Sequence, residues 1–295
     1  RAMEMKAQGV DVVAVGGGEP DFASPAVAVE AARQALADGF TKYTQNQGIP
    51  ALRQALAKRY AQRYGAPWTA DQTLITVGGK GALFELALAL FEEGQEVVLH
   101  TPAWVSIPEQ IRFAGATVIE VPTTGADAFA VDPGAMLAAI TSRTRAVIIN
   151  SPCNPTGKVY TEREYRALGE VLTEHPKVFI ACDDIYEHIY WGEAPYRTFT
   201  NACPELASRT LVINGVSKGY AMTGWRIGYL AGPADLVAAM RKVQGQSTSC
   251  PCSVSQAAAT AALSGPQDCV AEMQQAFKRR YDYIRPALTS LAGVV

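Results

Sequence analysis

Histidine and cysteine are sparse in this chain, and their spacing is poor for metal binding. There are three histidines (His100, His175, His188) and six scattered cysteines (Cys153, Cys182, Cys203, Cys250, Cys252, Cys269). No C-x-x-C pair occurs, and Cys250 and Cys252 stand too close for an ordinary structural zinc pair, so no metal centre is expected. The thiols read as buried and reduced, which points to a cytoplasmic setting. Net charge is also scarce: the formal value of -2 gives no electrostatic reason to expect nucleic acid or an anionic membrane as partner. No apolar run is long enough to span a bilayer. The nearest, ALFELALALFEEG, is short, carries Glu85, and reads as a core helix. The P-loop spacing G-x-x-x-x-G-K-[ST] and the dinucleotide G-x-G-x-x-G are both missing, as are internal repeats and low-complexity segments.

What is present is an ordinary globular composition, 48% hydrophobic and 18% charged, over 295 residues. That length predicts one large domain plus part of a second. The opening RAMEMKAQGVD reads as the middle of an amphipathic helix, and the closing LTSLAGVV stops at the expected start of a strand. The chain is therefore expected to be a fragment, and a leader upstream of it is not excluded. Between these ends, apolar β-branched runs (TLITV, EVVLH, TVIEVP, RAVIIN, VFIACDD, TLVIN, RIGYLAG) alternate with helical patterns such as GKGALFELALAL and EREYRALGEVL. VFIACDD leads into IYEHIY, and CVAEMQQAFKRRYDYIRPALTSL predicts a long connecting helix. Short apolar strands separated by helices predict an α/β chain with a doubly wound, mostly parallel sheet.

The chemically informative residues gather where strands end. VGGKG follows LIT, NSPCNPTG follows RAVII, DDIY follows FIAC, and NGVSK follows LVI. In a parallel sheet these ends share one edge, so they line one crevice. Gly78, Gly79, Lys80 and Gly81 open an apolar helix, where free N–H groups favour an anion; a plain tight turn is the alternative. Strand alternation aims either Asp183 or Asp184 into the crevice, Asp183 if Asp184 turns away, and a helix N-cap is the rival role for either. Tyr186 offers a phenol, and Asn154 an amide or merely a turn. Trp104 offers a flat face or a core side chain. Lys218, alone among small residues just past a strand, is costly to bury unless something uses its amine. A phosphate, a ring nitrogen facing a carboxylate, a phenolate facing donors, an aldehyde facing a lysine and a ring to stack together describe pyridoxal 5'-phosphate.

On these motifs the sequence resembles the class I aminotransferases, fold type I of the pyridoxal-phosphate enzymes, and within them the bacterial aspartate aminotransferase branch. GGGEPDFASP, KYTQNQGIPALRQALA, VGGKGAL, TPAWVSIPE, NSPCNPTGKVY, DDIYEHIY and GVSKGYAMTGWRIGY run in family order to about residue 232. The resemblance implies a large cofactor-binding domain over 21–265. Residues 1–20 would belong to a smaller α/β domain, and 266–295 would be an interdomain helix and the truncated start of that domain. It implies Lys218 as the Schiff-base lysine, Asp183 at the pyridine nitrogen, and Tyr186 and Asn154 at the phenolate oxygen. Trp104 would lie on the ring, with Gly79, Lys80, Ser217 and Arg226 around the phosphate. Gly18 would lie beside the substrate carboxylate, and Tyr43 would reach the phosphate of a second subunit, hence a homodimer with shared active sites. Lys218, Asp183 and Tyr186 would be catalytic; Gly18, Trp104, Asn154 and Lys80 would meet substrate.

The implied activity is amino transfer between an amino acid, of the aspartate or glutamate type, and a 2-oxo acid. A carbon–sulfur β-lyase and a non-catalytic cofactor-binding regulatory domain are the alternatives. Four positions depart from the family pattern: Gly78, Lys80 and Gly215 stand where Ser or Thr is frequent, and Cys153 stands where Asn is usual. The arginine that grips the substrate α-carboxylate would lie beyond residue 295.

Overall fold

The computed structural model describes residues 1–13, 17–66 and 68–294. Gly16, the first glycine of GGGEPDF, and the terminal Val295 lie outside the described residues. Seven strands form one sheet: β1 (Thr73–Val77), β2 (Glu96–Thr101), β3 (Thr117–Pro122), β4 (Thr144–Asn150), β5 (Phe179–Asp183), β6 (Thr210–Gly215) and β7 (Ile227–Ala231), in the order β1-β7-β6-β5-β4-β2-β3. β2, β3, β4, β5 and β6 pair in parallel, whereas β7 runs against both its neighbours, β1 and β6.

The strands are apolar along their whole length because both faces of the sheet are covered. On β4, Val147 and Ile149 join one core with Leu52, Leu56 and Tyr60, while Ala146 and Ile148 join the other with Leu86, Ile107 and Met240. Glu85 is buried in the second layer, and burial pushes its carboxyl up to about 8. Among the described residues no helix is long and apolar enough to cross a membrane. After β5, IYEHIY forms successive turns. One local expectation needs correction. The opening helix, Ala2–Ala7, is present but buries none of its residues.

Reversal of β7 matters most for position. Its first residue, Ile227, pairs with Val77 at the end of β1, and Gly228 pairs with Gly215 at the end of β6. Arg226, just before β7, is thereby delivered to the same sheet edge as the ends of the parallel strands.

Candidate active site

The β1 end is built for close approach. Gly78 opens the helix Gly78–Leu90 with φ +74°, a left-handed value that L side chains rarely adopt. A Cβ there would lie 2.4 Å from Nη2 of Arg226. Glycine at 78, where a hydroxyl residue was the commoner expectation, thus makes room for the guanidinium. Gly215 has a similar reason: a Cβ would lie 3.0 Å from the Ile227 carbonyl. Arg226 itself has φ 57° and donates from Nη1 to the Thr223 carbonyl at 2.8 Å. Gly228 seals the junction, because a Cβ on it would meet Gly78 C at 2.2 Å and Gly79 N at 2.4 Å. Those are backbone atoms that cannot rotate away. Gly228→Ala is therefore expected to destabilise the protein by about 1–3 kcal/mol, read as a lower thermal midpoint; a midpoint equal to wild type would mean the junction is loose.

Lys218 sits in the helical turn Val216–Gly219 that follows β6, half-buried, with Nζ donating to the Gly18 carbonyl. Burial lowers its pKa below the ordinary lysine value; Arg226 lowers it further and Glu19 opposes both. Asp183 ends β5, is 5% exposed, and accepts only a long bond from the Ile185 N–H, at 3.3 Å. Burial raises its carboxyl to about 7. No helix starts at this point, so the N-cap role is not what either aspartate does. Asp184 turns to the other side: it is buried, lines no cavity of the site, and its Oδ2 has no partner. Burial and the neighbouring Asp183 hold Asp184 well above the usual carboxylate range.

The Asn154 Nδ2 donates to the Tyr186 hydroxyl at 3.3 Å, so this asparagine does more than turn the chain. Burial raises the Tyr186 phenol and the Asn154 bond partly offsets that. The Lys80 ammonium lies 4.9 Å from the centroid of the half-buried Trp104 ring, a cation–π distance. Cys153 points its thiol toward the Pro102 carbonyl, 3.6 Å away.

A cavity of about 350 Å³ brings together Gly18, Gly79, Lys80, Trp104, Asn154, Asp183, Tyr186, Ser217, Lys218 and Arg226. Of the residues the resemblance assigns to the site, Tyr43 is elsewhere, 91% exposed on the surface. Of the four loop candidates, Gly78 and Gly81 do not line the cavity, whereas Gly79 and Lys80 do. A second cleft of about 670 Å³ shares Gly18, Asn154, Tyr186 and Lys218 and is walled by Ile189, Trp191, Phe277 and Tyr281. Sequence reasoning missed Asn150, which ends β4 and also lines the smaller cavity. Its Oδ1 accepts from the Asn154 N–H at 2.9 Å and its Nδ2 donates to the Asp183 carbonyl at 3.0 Å, so it fixes both loops. The available signal was a polar amide closing an otherwise apolar strand. Chemically, the cavity offers a half-buried amine, a buried carboxylate, paired phenol and amide donors, an aromatic face and an anion-receiving helix start.

Residues 10–295 match the family model for aminotransferase class I and II. The chain is 45% identical over 293 residues to an aspartate aminotransferase of Geobacillus stearothermophilus, covering 99% of this chain and 74% of that protein. It is 43% identical over 294 residues to an aspartate/prephenate aminotransferase of Nitrosomonas europaea, covering 100% of this chain and 74% of the relative. Its fold matches the crystal structure of the aspartate aminotransferase from Rhizobium meliloti with a TM-score of 0.95 at 41% identity, over 99% of this chain and 73% of that one. The Thermus thermophilus aspartate aminotransferase with maleate matches at 0.93 and 43% identity, over 98% and 75%.

Proposed function

The chain belongs to the class I and II aminotransferases, and from that premise we propose that it moves an amino group between an acidic amino acid and a 2-oxo acid, using pyridoxal phosphate in the 350 Å³ cavity. The observation that carries this reading is the convergence of Lys218, Asp183, Tyr186, Asn154, Trp104 and Arg226 on that one cavity from five separate segments of chain. The residues suit the cofactor. Gly78 leaves the space that a Cβ would take from Arg226 at the anion end, and Asp183 is a buried carboxylate without a cationic partner at the other.

When bound, pyridoxal phosphate supplies an aldehyde that takes an amine and a protonated ring that draws electrons from the substrate Cα. The rest is the work of this chain. The Asp183 carboxylate would keep a proton on the ring nitrogen by charge pairing. Tyr186 and Asn154 would donate to the phenolate oxygen, and Trp104 would offer its face to the ring. Gly79 and Lys80 N–H groups, Ser217 and Arg226 would hold the phosphate. The Lys218 amine, its proton affinity lowered by burial, would take the proton from the substrate Cα as general base and return one as general acid. Gly18, whose carbonyl accepts a hydrogen bond from Lys218, would lie beside the substrate.

We further propose a homodimer, with Tyr43 reaching the site of the second subunit, and we assign residues 1–20 and 266–295 to a smaller domain. Amino transfer from aspartate to 2-oxoglutarate, followed as oxaloacetate formed, tests the activity. Pyruvate released with sulfide or ammonia would instead mark a lyase, and cofactor binding without turnover a regulator.

For substrate class, the support is Lys80: its ammonium lies at the cavity wall over Trp104 and pairs with no carboxylate among the described residues. A second carboxylate on the donor would pair with it. Lys80→Thr is expected to lower kcat/KM for aspartate by about ten- to a hundredfold while leaving alanine nearly unchanged. Equal losses for both donors, with weaker cofactor retention, would assign Lys80 to the phosphate instead.

A further inference from the structure

Outside the cavity lies a largely buried polar cluster that none of the roles above uses. Arg59, from the helix Pro50–Tyr64, lines neither cleft of the site. Its Nη2 donates to Oε1 of Glu187 at 2.7 Å and approaches Nε2 of His188 at 2.8 Å, and its Nη1 reaches the Tyr220 hydroxyl at 3.5 Å. The side chains of Glu187, His188 and Arg59 are 1%, 8% and 12% exposed, so these bonds are largely shielded, at the wall of a separate cleft of about 650 Å³. A guanidinium can only donate, so His188 Nε2 must accept, and the imidazole is neutral with its proton on Nδ1. Burial, with Arg59 adding to it against Glu187, holds His188 at about 4, in keeping with that tautomer.

The connectivity gives the cluster its meaning. Glu187 and His188 directly follow Tyr186, and Tyr220 comes two residues after Lys218. The His188 ring packs edge-on to Tyr220, with centroids 5.5 Å apart, and lies so close over Gly219 that a Cβ there would meet Cδ2 at 2.4 Å. Tyr220 in turn donates to Gln267 Oε1 at 2.7 Å. One guanidinium therefore bonds the segment after the phenol and the segment after the lysine at once. We propose that Arg59 is a positioning residue, setting the spacing between Tyr186 and Lys218 from a helix that touches neither substrate nor cofactor. The Lys218 Nζ lies 6.0 Å from the Tyr186 ring centroid, and Glu19 and Arg226 are the charged groups that face it.

This inference rests on the proposed use of Lys218, and its test separates the two. Arg59→Met combined with Glu187→Gln removes the clamp without leaving a buried charge unpaired. In the full-length loaded enzyme it should lower kcat about ten- to a hundredfold with KM for both substrates within about threefold, because small misplacements of reacting groups are costly. Arg59→Lys, which keeps donors for Glu187 and His188, should recover most of that loss. In cofactor-free protein the pH midpoint for acetylation of Lys218, followed by mass spectrometry, should rise toward the ordinary lysine value as the turn loosens. Tyr220→Phe, which removes only a hydroxyl, should shift the midpoint in the same direction and covers the case in which the double variant fails to fold. An unchanged Lys218 midpoint in the folded variants overturns the proposal, even if their melting temperatures fall. The midpoint needs no turnover, so a wild-type protein without transamination would remove the functional reading and leave this one standing.

Discussion

Lys218→Ala should bind pyridoxal phosphate yet lose turnover by about a thousandfold or more, since on the proposed assignment the substitution removes both the covalent anchor and the proton-transfer group. The structure explains why no neighbour replaces it. Besides Lys218 the cavity is lined by the Tyr186 phenol, the Asn154 carboxamide, the Asp183 carboxylate proposed to face the ring nitrogen, and Lys80, whose ammonium lies against Trp104. The Lys218 amine is the basic nitrogen whose burial biases it toward the neutral form. Steady-state rates and the visible absorbance of the purified protein check the prediction, and borohydride should fix the cofactor to the peptide that carries Lys218 in the wild type but not in the variant. Undiminished turnover by Lys218→Ala would remove the assignment.

Asp183→Asn should nearly abolish turnover, by roughly a hundred- to a thousandfold, because a neutral amide does not hold a proton on the ring nitrogen against release to solvent. Asp184→Asn should cost less than about tenfold, since that side chain turns away from the cavity. The same substitution at 183 should have the opposite effect on stability when no cofactor is bound. The Asp183 carboxyl has its usual value of 3.8 in an unfolded chain and about 7 in the fold. Between those values the folded chain keeps a proton that the unfolded chain has released, so stability falls as pH rises through the window. Asp183→Asn abolishes that loss. Cofactor-free Asp183→Asn protein should accordingly unfold at higher denaturant than wild type at pH 8, with the advantage gone near pH 4. A wild-type protein equally stable at both ends of the window, relative to the variant, would show that the carboxylate is solvated or paired.

Much of this site was legible because its parts sit at strand ends, and strand ends can be read from where β-branched runs stop. Two-residue alternation along VFIACDD aimed one of Asp183 and Asp184 into the crevice and the family resemblance chose Asp183, while Lys218 stood out by its isolation among small residues after TLVIN. What was not legible is direction. RIGYLAG reads as a strand either way, and its apolar pattern is the same for a parallel and an antiparallel neighbour. Only the register of β7 with β1 and β6 puts Arg226 over Gly78. Gly228 is the contact that seats two backbone segments together, which the pattern of RIGYLAG does not mark. Asn150 and Arg59 escaped for a related reason. Each acts through partners distant in sequence, four to about 160 residues away, and no local periodicity marks such bonds.

The placement of β7 also orders events during synthesis. β1 borders no other strand of the sheet, so Thr73–Val77 has no partner until Ile227–Ala231 has left the ribosome, and Thr73 must wait for Ala231. Until then the nascent chain carries an unpaired β1 and an open β6 edge, and contacts of such sequence separation form slowly. The parallel core of β2 to β6 can assemble first, while the loop at Gly78 remains without Arg226. A nascent chain that has emerged only as far as residue 225 should thus fold its central sheet, engage chaperones through the open β6 edge, and lack Arg226 at the Gly78 loop.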